Sequence, residues 1–181
     1  MTDPQAGPLA RLRTFRGVAP ADLQALAAAG TWLEFENGES ISREGDDDRS
    51  AMILVDGRMR VQVSQGARDL GDLWPGGVIG ESALFGVRTK RCFSVSSVGH
   101  SRVLSLTRDR LRALPNNTAV AALQRHVIEV TAKRLQTADL DLRRVWREED
   151  RARHVASAPV VEPAAPMGLF DRLKTLLGVS A

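Results

Sequence analysis

"AMILVDGRMRVQVS", Ala51 to Ser64, is the stretch on which the fold turns. Two strand-like runs, "AMILV" and "RMRVQVS", flank the turn signal Asp56-Gly57. The same punctuation continues on both sides. Upstream lie "TWLEFE" and "SIS", separated by "NGE" and followed by "EGDDD". Downstream lie "RDLGDLW", "RCFSVSS" and "SRVLSL", with "SQGA", "PGG" and "VGH" at the breaks. Many short strands at regular spacing from Thr31 to Leu106 predict an antiparallel β-roll, barrel or sandwich.

Helices flank the roll, which makes the class α+β. "APADLQALAAAG" reads as a short helix, with Pro20 in its first turn and Gly30 at its end. After Thr107, "RDRLRAL" gives one or two turns, and Asn116 or Asn117 caps a long helix running to about Arg153. In that helix Ile128, Leu135 and Leu142 lie seven apart, and Thr131, Ala138 and Val145 form a second sevenfold series offset by three. Alternating steps of three and four make a heptad seam. It reads either as the dimer seam of a self-pairing helix or as a helix lying on the roll.

"ASAPVVEPAAP", Ala156 to Pro166, has the composition of an extended linker. Beyond it, Leu169, Phe170, Leu173, Leu176 and Leu177 form one apolar stripe of a short amphipathic tail helix. The organisation expected is an N-terminal arm over residues 1–13, the roll with flanking helices over 14–115, and the long helix over 116–155. The linker then covers 156–166 and the tail 167–181.

Composition narrows the function. The 181 residues suit one domain with appendages, and 25 basic against 22 acidic residues leave a net charge of only +3. So weak a balance does not argue for nucleic acid. One cysteine, Cys92, excludes an intrachain disulfide and a multi-cysteine metal site, and His100, His126 and His154 are scattered. No metal is expected. The N-terminus has no apolar signal region and no run approaches the ~18 residues of a membrane span, so a cytoplasmic location is expected. Paired carboxylates, a Ser–His–Asp set and a P-loop are all missing, so no catalysis is expected.

The chemistry sits in "GESALFGVRTKRCFSV", Gly80 to Val95. Arginine, small residues and backbone amides at a tight turn suit a phosphate. Gly80 lets the backbone approach, and Ser82 and Ala83 leave space. A carboxylate at Glu81 would repel a phosphate but would accept from a sugar hydroxyl, so the combination points to a nucleotide.

This segment resembles the phosphate-binding cassette of the cyclic nucleotide-binding domain family, which includes bacterial catabolite activators. The family pattern is roughly Phe/Ile-Gly-Glu-Leu-Ala-Leu, a loop, then Arg-Ser/Thr/Ala and a strand. Here it reads Ile79-Gly80-Glu81-Ser82-Ala83-Leu84, "FGVRTK", then Arg91-Cys92-Phe93-Ser94-Val95. "FRGVAPADLQALA", "GESISREGDDDRSAMILVDGRMRV" and "AKRLQTADLDL" resemble the family's first helix, strand pair and ligand-facing helix, so the likeness runs from about Leu9 to Trp146.

The resemblance implies a jelly-roll-like domain binding cAMP or cGMP. Glu81 would take the ribose 2′-hydroxyl, Arg91 the cyclic phosphate, and the amides of Ser82, Ala83 and Cys92 phosphate oxygens. Arg88 and Lys90 are read as solvated. Ser82 stands where the family has an apolar residue. Cys92 stands where it has a hydroxyl or alanine, and reads as a small buried filler. Thr137, Ala138 and Asp139 would lie nearest the base.

About thirty residues follow the long helix, too few for the winged helix–turn–helix of the family's transcription factors. Direct DNA binding by that route is therefore not expected. The leading expectation is a stand-alone bacterial cyclic nucleotide sensor, a homodimer through the long helix. Its tail would dock on a protein partner, a membrane surface being the weaker alternative and self-docking another. A nucleotide-independent adaptor recruited by the tail is the alternative function, and regulation through a DNA-binding partner a further one.

Overall fold

The computed structural model describes residues 6–63, 68–85 and 90–157. Arg88, the tail stripe from Leu169 to Leu177 and most of the expected linker lie outside them. Contacts divide the chain into two units between Lys133 and Arg134.

The first unit is the expected antiparallel roll. Its strands are β1 (Thr31–Phe35), β2 (Ser40–Ser42), β3 (Ser50–Asp56), β4 (Met59–Val63), β5 (Arg68–Leu73), β6 (Val78–Ile79), β7 (Ser94–Ser97) and β8 (Ser101–Thr107). They form two four-stranded sheets, ordered β1-β8-β3-β6 and β2-β7-β4-β5, with every pairing antiparallel. β3 and β4 are joined through Asp56-Gly57, where Gly57 has φ +90. They nevertheless enter different sheets, so this connection turns the roll's corner.

"AMILV" is a continuous apolar run because β3 is covered on both faces. Met52 and Leu54 point between the sheets, where they meet Ile41, Met59, Val95 and Val103. Ala51, Ile53 and Val55 point the other way, into a cluster with helical residues. Each fully buried leucine or isoleucine contributes about 2 kcal/mol of transfer free energy.

The helices that close the second cluster are α1 (Ala6–Ala10), α2 (Pro20–Ala29), α3 (Arg108–Arg112) and α4 (Thr118–Ser157). The expected arm is thus partly core. Leu9, Leu12 and Phe15 are buried, and Gly7 and Pro8 had hidden the helical turn in the sequence. α4 contributes Ala119, Val120, Leu123 and Val127 to the same cluster.

Asn117 is the cap. Its Oδ1 accepts from the amides of Ala119 (2.9 Å) and Val120 (3.1 Å). Its Nδ2 donates to the Asp22 carbonyl at 3.1 Å. The Asp22 carboxylate accepts from the Thr118 amide (2.9 Å) and hydroxyl, bonds that hold it below the usual carboxylate range. These contacts fasten the start of α4 to α2. At its other end α4 includes Ala156 and Ser157, so these two are helical rather than the first residues of a linker. Alanine favours helix, and Pro159, the breaker, lies two residues further on.

Of the seam residues, Ile128 in the first unit is 59% exposed. Leu135, Leu142 and Val145 in the second are 71%, 47% and 44% exposed. Thr131 and Ala138 are also exposed. The buried stripe of α4 is therefore a different one, and it stops at Val127.

Candidate phosphate-binding cassette

β6 leads into the cassette. Gly80 follows it with φ +70, a left-handed conformation that glycine adopts without strain. A tight 3-10 turn, Glu81–Phe85, comes next, closed at its start by the Ala83 amide donating to the Gly80 carbonyl at 3.1 Å. Of the three amides expected to face a phosphate, Ala83's is thus engaged within the turn itself. Glu81, Ser82, Ala83 and Leu84 are all half-buried.

On the return side Arg91 is held by the turn at Gly45-Asp46. Its amide donates to the Asp46 carbonyl (2.9 Å), and its carbonyl accepts from the Gly45 amide (2.8 Å). Sequence reasoning placed Gly45 and Asp46 at a turn; what the fold adds is that this turn braces Arg91.

The Arg91 side chain is only 5% exposed. Its Nη2 donates to the Asp48 carboxylate at 2.5 Å and to the Ser50 carbonyl at 2.7 Å. Its Nη1 lies where a Cβ on residue 80 would be, so Gly80 is needed for space as well as for its backbone angle. Its Nε is buried without a hydrogen-bond partner. A buried donor left unused is disfavoured unless a further acceptor reaches it.

Asp48 is itself held in place. One carboxylate oxygen accepts from the Ser50 amide (2.9 Å), the other from the Ser50 hydroxyl (3.2 Å). Burial works against its charged form. The hydrogen bonds from Arg91 and Ser50, with the charge of Arg91, outweigh that and hold its pKa below the usual carboxylate value. Asp48 was not singled out in the sequence. It is 43 residues from Arg91, and the only signal was a third aspartate in "GDDD".

The remaining candidates divide. Lys90 is exposed. Cys92 is also exposed, with its Sγ 3.7 Å from the Lys90 carbonyl, which corrects the buried-filler reading. The chain leaves Arg91 and passes through Phe93, also exposed, before β7 begins at Ser94, so position 92 precedes the buried alternation. Thr137, Ala138 and Asp139 belong to the second unit, where Asp139 pairs with Arg143 one helical turn on, at 2.9 Å. A groove of about 720 Å³ lined by Arg13, Arg16, Arg125 and His126 shares no residue with the cassette. Among the described residues no three His, Cys, Asp or Glu side chains gather as a metal site requires, and no helix is long and apolar enough to cross a membrane.

The described residues form a two-sheet roll in which a glycine-led 3-10 turn sits beside a buried arginine. Comparison with known proteins places that roll in a family. Residues 32–118 match the family model of the cyclic nucleotide-binding domain, and the chain carries a domain of that family. Over 86 residues it is 36% identical to the acetyltransferase Pat of Mycolicibacterium smegmatis, covering 46% of this chain and 26% of that protein. Over 139 residues it is 27% identical to a CRP-like cAMP-activated global transcriptional regulator of Mycobacterium tuberculosis. That match covers 74% of this chain and 60% of the regulator. The catabolite activator protein of Thermus thermophilus superimposes with a TM-score of 0.64 at 26% identity, over 76% of this chain and 65% of that one. The chain therefore spans less than two thirds of the length of each relative.

Proposed function

We propose that this chain is a cyclic nucleotide sensor whose cassette takes a purine cyclic monophosphate, cAMP or cGMP. The observation that carries the reading is Arg91, a buried guanidinium with Nε unpartnered, seated against side-chain-free Gly80. Arg91 binds the phosphate as a charged donor. Glu81, at the first position of the 3-10 turn, accepts from the ribose hydroxyl. The names of two relatives, a cAMP-activated regulator and a catabolite activator, support the ligand class.

The signal leaves through α4. The exposed residues Ile128, Leu135, Leu142 and Val145 pair two copies, and the tail stripe meets a protein partner. In this role the chain regulates and does no chemistry of its own. Calorimetric titration with cAMP and cGMP tests the reading. The wild type binds at micromolar concentration or tighter, and Arg91→Ala loses roughly 100-fold. No binding of either nucleotide by wild type, or unchanged binding in Arg91→Ala, refutes it.

One observation favours the adaptor reading instead. Arg91 already has an anion, Asp48, so the roll is electrostatically complete without a nucleotide. Deleting residues 167–181 then abolishes partner recovery whether or not nucleotide is present, while a sensor shows recovery that depends on the nucleotide.

A further inference from the structure

We propose that the groove between the first 3-10 turn and the start of α4 is a second ligand site, built for a small molecule that carries two or more phosphate groups. It shares no residue with the cassette and does not depend on what the cassette binds.

Two walls form the groove. One is the segment from Arg13 to Ala19, which opens with the 3-10 turn Arg13–Phe15. The Arg16 amide donates to the Arg13 carbonyl at 3.3 Å, and the two arginines have the spacing at which 3-10 side chains eclipse. The other wall is one stripe of α4, where Thr118, Ala121, Ala122, Arg125, His126 and Glu129 recur at helical spacing. Both walls are fixed before any ligand arrives. Phe15, 1% exposed, anchors the turn in the core. Asn117 and Asp22 fasten the start of α4 to α2. His126 Nε2 lies 3.0 Å from the Gly76 carbonyl, which can only accept, so the imidazole donates there and ties α4 to the roll. The preformed cleft of about 720 Å³ has the size of a small-molecule site.

Charge sets the class of ligand. Arg13, Arg16, Arg125 and Lys133 line the groove against one carboxylate, Glu129. Glu129 stands one helical turn from both Arg125 and Lys133, so it offsets only part of that stripe. Among the described residues Arg13, Arg16 and Arg125 make no ion pair, whereas Arg58, Arg60, Arg91 and Arg102 of the roll each meet a carboxylate. Three exposed guanidiniums lining one cleft repel one another until an anion enters. Their planar forks suit phosphate oxygens taken two at a time. Arg125 and Lys133 are about 12 Å apart along the helix axis, and the other two arginines stand on the opposite wall. One phosphate cannot serve all of these groups, whereas a di- or triphosphate engages both walls. Val18, Ala19, Ala121 and Ala122 leave a small, apolar floor for the rest of the molecule.

Calorimetric titration of the full chain at low ionic strength, with tripolyphosphate and with ATP and without divalent metal, tests the site. Wild type binds both at sub-millimolar concentration, and added salt weakens the binding. Tighter binding of ATP assigns the ligand to the nucleotides and equal affinity assigns it to the phosphate chain; either supports the site. Arg16→Gln/Arg125→Gln loses roughly 10-fold or more. Ala121→Glu removes no cation but adds a carboxylate to the floor, and it loses binding as well. Both variants melt as wild type does without ligand, because the substituted side chains are exposed. Arg147→Gln/Arg151→Gln removes the same charge elsewhere on α4 and leaves the affinity unchanged. An excess of cAMP does not displace tripolyphosphate, since a single phosphate does not span the walls. That result is the same whether or not the cassette takes cAMP, so the two readings fail separately. No binding of either phosphate, equal losses in the two arginine double variants, or displacement by cAMP overturns the site. An oligoglutamate peptide that binds as tightly as tripolyphosphate overturns the phosphate class in favour of an acidic protein segment.

Discussion

Gly80→Ala is the sharpest perturbation of the cassette, because two independent effects meet at one atom. Gly80 has φ +70, where an L side chain is disfavoured by about 1–2 kcal/mol. The added methyl also falls on Nη1 of Arg91 and comes within 2.8 Å of the Ser50 carbonyl. The guanidinium is the end of a flexible chain and leaves its seat. The carbonyl is backbone of β3 and cannot. Arg91 then surrenders its bonds to Asp48 and Ser50, and the loss of charged hydrogen bonds adds about 1.5–3 kcal/mol. Gly38→Ala is the control. Gly38 has φ +79 with nothing near its would-be Cβ, so it carries the backbone term alone.

Denaturant unfolding of wild type and the two variants reads the difference directly. Gly38→Ala loses about 1–2 kcal/mol and Gly80→Ala about 2.5–5 kcal/mol. In the double variant Gly80→Ala/Arg91→Ala the steric part shrinks, because the guanidinium is already gone. If Gly80→Ala and Gly38→Ala agree within about 0.5 kcal/mol, the seat of Arg91 against Gly80 is not a stabilising feature and the reasoning fails.

Asn117→Ala removes the cap of α4 and its tie to Asp22, and lowers stability by about 1–2 kcal/mol in the same denaturant assay; no change would mean that Asp22 alone secures the helix start. Asp48 has a pKa below its unfolded value of 3.8, so its contribution is present above that value and lost as pH falls through the folded one. The melting temperature of Asp48→Asn therefore lies below wild type by a constant amount from pH 7 to pH 5, and the gap closes only in more acid solution; a gap closing between pH 7 and 5 contradicts the assignment. Leu135→Glu places a charge in the exposed heptad series and converts a dimer to a monomer in sedimentation, with the roll's melting unchanged; wild type sedimenting as a monomer removes the seam altogether.

The roll was legible because its signals are local. Alternation, short runs and glycine turns give seven of the eight described strands almost at the positions where the runs occur, and only β6 was missed. Its two residues, Val78 and Ile79, are too few to show a period. α1 was missed because Gly7 and Pro8 conceal a turn that tertiary packing of Leu9 and Leu12 stabilises. At the cassette, the choice of Arg91 over Lys90 followed from its place at the head of a strand pattern, and Arg91 is the one the fold buries. Nothing local could show what it pairs with. Asp48 is 43 residues away and Ser50 is 41, and they meet Arg91 only because β3 lies beside β6 and the Gly45 turn. The contacts of Asp22 with Thr118, 96 residues apart, were hidden for the same reason. The exposure of Cys92 depends on where β7 begins, which the alternating run placed three residues too early.

The cassette's two ends are anchored unequally. At Gly80 it is clamped to β3 through Arg91, Ser50 and Asp48, a network of charged bonds. Four residues on, Leu84 packs on the cluster that also contains Leu111 of α3 and Leu123 of α4. A cavity of about 270 Å³ adjoins that contact, lined by Leu84, Arg108, Leu111, Arg112 and Gln124. Close-packed interiors resist displacement, whereas a side chain beside a void can shift without forcing its neighbours apart. The cassette is therefore stiff at Gly80 and compliant at Leu84, where it meets α3 and the opening turns of α4.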